Sequence, residues 1–210
     1  MIDRLEQKII SGGRITPEEA LGIAPVSGAG MLALFASASR IRSHFRGEAV
    51  DICAIVNAKS GACPEDCAYC AQSAKIVAGA PVYPLLDAQA VLEKAAEAKA
   101  GGAKRFCIVT SGRKTPAGEI DRIAAMVREV RRLGLLPCAT LGLLSRDELL
   151  TLKEAGLERF HHNLETSERF FPEICSTHTF AEKLRTIDAV QSAGLSLCSG
   201  GIFGLDGIVQ

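Results

Sequence analysis

Short apolar runs alternate with amphipathic segments along the chain from residue 51 onward. Five of these runs are rich in Val, Ile, Leu and Phe and are bounded by Gly or polar residues, as is typical of buried strands. We predict strands over 51–57, 104–110, 135–141, 157–164 and 195–203. Apolar positions at helical spacing predict helices near 87–100, 119–133, 145–155 and 179–193.

Three of the four predicted helices have a start signal, and all four have a stop signal. Asp87, Ser145 and Thr179 are candidate N-caps, and each of the last two is followed by Glu three residues later, as in a capping box. A glycine lies where each helix is expected to end, because glycine readily adopts the left-handed conformation that closes a helix. These glycines are Gly101, Gly134, Gly156 and Gly194.

Alternating strands and helices with short connections predict a parallel α/β sheet. A doubly wound nucleotide-binding fold places a Gly-rich turn after its first strand, whereas here a cysteine-rich loop follows that strand. We therefore predict a (β/α) TIM-type barrel. An eight-unit barrel needs about 250 residues, so we expect an incomplete one with about five of the eight strand–helix units.

The first 48 residues lack this alternation. The sequence Thr16-Pro17-Glu18-Glu19 predicts the start of a helix, with Thr16 as the cap, and the following MLALFASASRIRSHF has apolar residues at helical spacing. We predict two domains, an N-terminal helical extension over 1–48 and a partial barrel domain over 49–210.

Composition narrows the function classes. The 210-residue chain is 48% hydrophobic and has 24 basic against 24 acidic residues, scattered along its length, which is typical of a folded protein without a nucleic-acid-binding surface. The charged start MIDRLEQK indicates no secretory signal, and no apolar run is long enough to span a bilayer. We expect a cytoplasmic protein with no membrane partner, where eight reduced cysteines indicate metal binding or catalysis.

Three cysteines lie within eight positions in the stretch SGACPEDCAYCAQS, residues 60–73. Cys63, Cys67 and Cys70 can hold three irons of a four-iron cluster and leave the fourth iron open to another ligand. Zinc sites usually combine two Cys or Cys/His pairs, and no second such pair occurs here. The alternative is a chance group of structural cysteines.

Four more cysteines fall on predicted strands. Cys107, Cys138 and Cys198 lie in the middle of the second, third and fifth strands, and Cys53 lies on the first. Strand side chains point alternately into the barrel and toward the helices. If these thiols all point inward they form a second metal site, and if outward they pack against helices. Cys175 has no strand partner, and we interpret it as structural or solvent-facing.

A polar stretch, HHNLET, ends the fourth predicted strand, where barrel enzymes place their functional groups. Strand alternation predicts that His161, Asn163 and Glu165 lie on one face and that His162 and Leu164 lie on the other. A single buried histidine often has only a structural role, but three polar residues on one face favour a hydrogen-bonding site.

The loop CxxxCxxC, with Tyr69 before its third cysteine and directly after the first strand, resembles the radical S-adenosylmethionine family. In that family S-adenosylmethionine binds the open iron, and the reduced cluster splits it into methionine and a 5′-deoxyadenosyl radical that removes hydrogen from carbon. The resemblance implies a [4Fe-4S] cluster bound by Cys63, Cys67 and Cys70, with S-adenosyl-L-methionine as the second cofactor.

Five segments, in order and at matching intervals over most of 45–205, resemble the biotin synthase family: AKSGACPEDCAYCAQS, RFCIVTSG, LPCATLGLL, HHNLET and LCSGGIFGL. The resemblance implies conversion of dethiobiotin to biotin with sulfur from an auxiliary iron–sulfur cluster, [2Fe-2S] or a variant. It implies that Cys107, Cys138 and Cys198 bind that cluster. Cys53 is a possible further ligand, and the alternative is a small buried residue.

The same resemblance implies cofactor-binding roles for ten residues. Asn163 is expected to contact both substrate and cofactor, Glu165 the ribose hydroxyls, and Lys183 the cofactor carboxylate. His161 and Glu165 depart from the usual Asn-x-Asn-x-Asp pattern of the family. The full set is Tyr69, Thr110, Ser111, His161, Asn163, Glu165, Lys183, Gly200, Ile202 and Gly204.

The partners implied are dethiobiotin, a flavodoxin or ferredoxin as electron donor, and a second copy of the chain in a homodimer. One alternative is another radical enzyme of the same subgroup, such as a methylornithine synthase or a hydrogenase-maturation enzyme. Another is an inactive iron–sulfur-binding fragment. Cys107, Cys138 and Cys198 favour sulfur insertion, because a simple rearrangement has no evident need for three additional thiols.

Overall fold

The computed structural model describes residues 1–205, and the chain divides into two compact units, Met1–Val50 and Asp51–Gln210. The structural boundary therefore lies two residues after the predicted one. None of the helices described within these residues combines the length and the hydropathy needed to cross a bilayer.

The first unit is helical. Thr16 accepts a hydrogen bond from the Glu19 backbone N–H at 3.2 Å, and the Glu19 carboxylate accepts one from the Thr16 N–H at 3.0 Å, so the predicted capping box is present. Arg40 donates two hydrogen bonds to Glu6, at 2.7 and 2.6 Å, and so joins the first helix to the third. The helices are α1 (Ile2–Ile10), α2 (Pro17–Ile23) and α3 (Ala29–Arg46).

The second unit alternates strands and helices as predicted. Its strands are β1 (Cys53–Lys59), β2 (Arg105–Thr110), β3 (Leu136–Thr140), β4 (Arg159–His161) and β5 (Ser196–Cys198). Its helices are α4 (Ala88–Ala100), α5 (Ala117–Arg132), α6 (Arg146–Glu154), α7 (Phe171–Ile174) and α8 (Phe180–Ser192). The short helix α7 was not predicted, and β4 and β5 are shorter than their apolar runs suggested.

The five strands form one parallel sheet in the order β1-β2-β3-β4-β5. Each strand pairs with its neighbour in the chain and the order never reverses, whereas a doubly wound sheet has a switch point. Sequential parallel winding with a helix in each crossover is the arrangement of a TIM-type barrel. The fold prediction of a partial barrel is therefore confirmed.

One face of the sheet is apolar and packs against the helices. Phe106, Ile108 and Phe160 are almost completely buried there, together with Ile123 and Leu149 from α5 and α6. Because strand side chains alternate, the odd-numbered neighbours of these strand residues point to the opposite face. That opposite face carries the cysteines of the strands.

The predicted N-caps of α4, α6 and α8 are all present, and the predicted end of α4 is shifted by one residue. Asp87 caps α4, while Ser145 and Thr179 form capping boxes at α6 and α8. Gly101 has a φ of −76° and is the C-cap of α4, so the left-handed position falls one residue later, on Gly102, at a φ of +86°. The reason is the Gly101-Gly102 pair, in which either glycine can take the left-handed conformation.

Candidate active site

A cavity of about 490 Å³ lies at the carboxyl ends of the strands, where barrel enzymes build their sites. It is lined by all three cysteines of the 60–73 loop and by seven of the ten predicted cofactor residues. The other three, Gly200, Ile202 and Gly204, are not among its lining residues.

The cysteine loop is closed by its own hydrogen bonds. The Gln72 side-chain oxygen accepts from the Ser60 hydroxyl at 3.0 Å and from the Gly61 N–H at 2.5 Å. The Cys63 N–H donates to the Gln72 carbonyl at 3.1 Å, and its own carbonyl accepts from the Ala74 N–H at 2.9 Å. These bonds join the two ends of the loop, so its cysteines are held by backbone contacts.

A distant segment, residues 174–178, fixes the middle of the loop. The Asp66 carboxylate accepts hydrogen bonds from the Ser176 N–H at 2.9 Å and the Thr177 N–H at 3.2 Å, and also from the Ser176 hydroxyl. These bonds hold the pKa of Asp66 well below its usual range. The Ala68 N–H donates to the Ile174 carbonyl at 2.9 Å. The loop and this segment therefore form one hydrogen-bonded unit.

The three loop thiols are too far apart to hold a single ion together. Among residues 1–205, the sulfur atoms of Cys63, Cys67 and Cys70 do not all lie within 4.8 Å of one another. A four-iron cube takes each cysteine on a different iron, so its thiolates lie farther apart than those around one ion. Burial, with Cys175 beside it, raises the pKa of Cys67 to about 12, so this thiol keeps its proton until a cation binds.

Charged and polar groups line the same cavity as the loop cysteines. Lys183 is buried, and its Nζ donates to the Asn163 carbonyl at 3.0 Å. Burial lowers the pKa of Lys183, while the Glu165 carboxylate opposes that shift. Burial and the same carboxylate raise the pKa of Tyr69, which keeps its phenol neutral. The cavity thus offers an ammonium, a carboxylate and a phenol to a zwitterionic ligand.

Glu165 has a backbone conformation that is uncommon for a residue with a side chain. Its φ is +71°, and hydrogen bonds from its N–H to the Gly200 carbonyl and from the Ile202 N–H to its carbonyl hold it there. Because β4 ends at His161, strand alternation does not govern Asn163 and Glu165, although both line the cavity.

The two adjacent histidines both line the cavity, whereas alternation predicted that they face opposite ways. The Nε2 atoms of His161 and His162 are buried and have no hydrogen-bond partner within the described residues. Burial, with a smaller effect from Lys183, lowers the pKa of His162 to about 4, and burial also lowers that of His161. Both rings are therefore neutral at pH 7, and each Nε2 is available to form a hydrogen bond with a ligand.

The four strand cysteines lie on one face of the sheet, opposite the apolar core. Cross-strand pairing places Cys107 beside Cys138 and Cys198 beside His161, and Cys53 is paired with Arg105. One row across the sheet comprises Ile55, Cys107, Cys138, Arg159 and Ser196. Cys107 and Cys138 are buried, whereas Cys53 is exposed, so the interpretation of Cys53 as a small buried residue is wrong.

Two arginines share this face with the thiols, and the sequence interpretation missed them. The Arg105 Nη1 is buried and has no hydrogen-bond partner within residues 1–205, while Arg159 donates to the Ser196 hydroxyl at 3.2 Å. Burial raises the pKa of Cys138, and Arg105 opposes that shift. The sequence contains a signal for them: Arg105 lies two residues before Cys107, and Arg159 lies two residues before His161, so alternation places each pair on one face.

Of the two interpretations of Cys175, structural or solvent-facing, the solvent-facing one is wrong. It is 4% exposed, and its Sγ lies 3.7 Å from the Cys67 Sγ and 3.2 Å from the His178 Nδ1. Cys175 and His178 form a Cys-x-x-His pair of possible metal ligands, so the expectation that the sequence holds no second Cys/His pair is wrong. Sequence alone could not show that this pair packs against the cysteine loop.

Comparisons with known proteins show to which family the chain belongs. The family model described as Radical SAM superfamily matches residues 58–209. The chain is 46% identical over 206 residues to a biotin synthase of Geobacter metallireducens, covering 97% of the chain and 63% of that protein. It is 47% identical to a biotin synthase of Pelotomaculum thermopropionicum, covering 98% of the chain and 64% of the relative. The chain thus spans about three-fifths of the length of these curated relatives.

Solved structures of lower identity share the fold. Methylornithine synthase superposes with a TM-score of 0.81 at 18% identity, covering 96% of this chain and 59% of that one. HydG, a maturase of the [FeFe]-hydrogenase, superposes with a TM-score of 0.82 at 19% identity, covering 97% and 46%. At these identities the likeness concerns the fold alone.

Proposed function

Because the chain belongs to the radical SAM superfamily, we propose that it carries the cofactor-binding part of a biotin synthase, which inserts sulfur into dethiobiotin. Superfamily membership implies a [4Fe-4S] cluster and S-adenosylmethionine as cofactors. The identity of 43% to 49% with curated biotin synthases supports the choice of reaction within the superfamily.

Cys63, Cys67 and Cys70 would hold the four-iron cluster, which would supply the one-electron reduction of S-adenosylmethionine on which hydrogen abstraction from carbon depends. The loop keeps the three thiols on the cavity wall through the backbone bonds of Cys63 and the contacts of Asp66. The loop itself contains no fourth cysteine. The fourth position belongs to the second cofactor in this proposal.

The polar groups of the cavity suit the methionine and ribose parts of S-adenosylmethionine. Lys183 offers an ammonium to a carboxylate, and Glu165 offers oxygens to hydroxyl or ammonium groups. Thr110, the last residue of β2, and Ser111, which follows it, line the same cavity, where they can accept from an amino group. These residues bind and orient the ligand, and the surrounding cavity limits access of water to it.

The single observation that carries the proposal is the set of four thiols on one sheet face. Cys107, Cys138 and Cys198 would hold the auxiliary cluster that donates sulfur, with Cys53 as a further ligand. Arg105 and Arg159 lie among them, and guanidinium groups stabilise the negative charge of sulfide-rich centres. A rearrangement such as that of a methylornithine synthase would leave these groups without a role.

The partners follow from the same proposal. The substrate is dethiobiotin, and a flavodoxin or ferredoxin supplies electrons one at a time. We also propose a homodimer and a cytoplasmic location, which fits eight free thiols in a reducing compartment.

The test is anaerobic reconstitution of the chain with iron and sulfide, followed by reduction and addition of S-adenosylmethionine and dethiobiotin. We expect release of 5′-deoxyadenosine and formation of biotin. Cys70→Ala should lose both products, whereas Cys138→Ala should still release 5′-deoxyadenosine but form no biotin. Release of 5′-deoxyadenosine with biotin formation unaffected by Cys138→Ala would refute the role of the strand thiols. No release from the unaltered chain would favour an inert iron–sulfur-binding fragment.

A further inference from the structure

We propose that Cys67, Cys175 and His178 form a separate site for one thiophilic divalent cation, such as Fe²⁺ or Zn²⁺, in the cluster-free chain. The three donor atoms lie within 4.8 Å of one another, and no other group of three or more Cys, His, Asp or Glu donors in residues 1–205 is so closely spaced. Two of the three ligands lie outside the loop that binds the cluster.

The distances between the donors match a tetrahedral ion. Around an ion with metal–sulfur bonds of about 2.3 Å, two thiolates lie about 3.7 Å apart. The Cys67 and Cys175 sulfur atoms are 3.7 Å apart. A cation can therefore enter between the two thiols without movement of either backbone segment.

A carboxylate holds one ring nitrogen of the histidine, as is common for metal-bound histidines. Its Nδ1 lies 2.5 Å from the Glu65 Oε2, so a carboxylate fixes the ring and its tautomer. Nδ1 is also the ring nitrogen nearer to the Cys175 Sγ, at 3.2 Å, whereas Nε2, which has no hydrogen-bonded carboxylate, is 4.0 Å from that sulfur. An ion bound through Nε2 therefore needs a small turn of the ring. The Glu65–His178 pair thus provides the carboxylate–histidine arrangement found beside many zinc ions.

The ligands are held in place before any ion binds. The Thr177 hydroxyl donates to the Glu65 Oε2 at 2.8 Å, and the Asp66 carboxylate binds the N–H groups of Ser176 and Thr177. Glu65, Cys175 and His178 are each at most 9% exposed. A buried cysteine alone would be an ordinary packing residue, but packing does not require a second thiol, an imidazole and a carboxylate to converge on it.

The new site shares one ligand with the proposed cluster. Cys67 cannot bind a single ion together with Cys175 and also complete the set formed with Cys63 and Cys70. We infer that an ion at the new site excludes the cluster, so bound Zn²⁺ slows cluster assembly. This exclusion rests on the proposed function, whereas the ion site itself does not.

The test uses Co²⁺, whose absorption reports tetrahedral thiolate coordination. Cys63→Ser and Cys70→Ser are combined so that the loop retains only Cys67. We expect this double variant to bind one Co²⁺ per chain with thiolate charge-transfer bands. Adding Cys175→Ser should abolish those bands, and adding His178→Gln should weaken Co²⁺ binding at least tenfold.

The matched control adds Cys198→Ser to the same double variant, since it removes a thiol on the strand face and leaves the new site intact. The Co²⁺ bands should persist in this control. Bands that survive Cys175→Ser, or that disappear equally with Cys198→Ser, would overturn the site. Circular dichroism of each variant shows whether it folds, and Cys175→Ala replaces Cys175→Ser if the serine variant does not.

A second measurement separates the ion site from the exclusion. One equivalent of Zn²⁺ is added to the unaltered cluster-free chain before reconstitution, and iron uptake is followed by its visible absorption. Slower uptake that is relieved in Cys175→Ser supports the exclusion. Unchanged uptake, with the Co²⁺ result intact, refutes the exclusion and leaves the ion site standing.

Discussion

Eight identical thiol side chains acquire different properties from their surroundings. Cys107 is buried, and burial raises its pKa to about 12, while Cys53 on the neighbouring strand β1 is exposed on the same face. The spacing of the 60–73 loop was predictable from sequence, because its ligands are close in the chain. The contact of Cys67 with Cys175 was not, because 108 residues separate them and only the folded sheet brings them together.

A residue-scale prediction concerns Cys53. Cys53→Ala should lower the iron and sulfide bound per reconstituted chain, because this thiol lies on the same sheet face as Cys107, Cys138 and Cys198. The loss should be smaller than that caused by Cys138→Ala, whose sulfur is central in the row. Iron and sulfide analysis of both variants measures this, and unchanged counts in Cys53→Ala would remove it from the ligand set.

Among secondary-structure elements, local signals were read correctly and long-range ones were not. The caps at Ser145 and Thr179 depend on residues three apart, so the sequence contains the whole signal. The ends of β4 and β5 depend on pairing with each other, and only three residues of each strand pair. Apolar runs therefore overestimated both strands, although they identified the position of each one.

The turn after β3 allows an element-scale prediction. Gly142 has a φ of +76°, and a Cβ added there would overlap the Arg113 carbonyl oxygen. Gly142→Ala should therefore cost roughly 2 kcal/mol or more of unfolding free energy. Gly118→Ala in α5 is the matched control, because its Cβ meets nothing within 4 Å, and it should stabilise by up to about 1 kcal/mol. Urea denaturation measures both, and equal effects would contradict the steric argument.

The start of α6 gives a pH dependence. Burial alone would raise the pKa of Glu148, but the Ser145 N–H and the Lys114 ammonium hold it below its usual range. A carboxylate with a lowered folded-state pKa stabilises the fold above its unfolded pKa of about 4.3, and this stabilisation is lost as the pH falls through the folded value.

Glu148→Gln should therefore lower the urea midpoint at pH 7, and the difference from the unaltered chain should shrink as the pH falls below about 4. Urea titrations of both proteins between pH 7 and pH 3 measure this. A difference that stays constant over that range would show that the charge of Glu148 contributes nothing.

At the scale of the whole molecule, one face of the sheet contributes to stability and the other carries the candidate functional groups. Its helix-facing side is built from residues such as Phe106 and Ile108, which are buried almost completely. Its other side carries four cysteines and two arginines, and arginine is almost never fully buried without a partner. The periodicity of the chain predicted the apolar side, but the sharing of one face by thiols and guanidinium groups required the strand register.

This separation predicts opposite sensitivities for two residues on paired strands. Phe106→Ala should cost about 3–5 kcal/mol, because the ring is 1% exposed within the core. Ile55→Ala should change stability by less than about 0.5 kcal/mol, because Ile55 is 66% exposed on the other side. Chemical denaturation of the two variants checks the contrast, and a large cost at Ile55 would mean that this side is covered in solution.

The bonds from Asp66 to the amides of Ser176 and Thr177 also have a dynamic consequence. Those two protons can exchange with deuterated solvent only when the cysteine loop lifts away from the segment that leads into α8. Their exchange rates therefore measure how often the loop opens. We expect this exchange to slow once a metal binds to the neighbouring sulfur atoms.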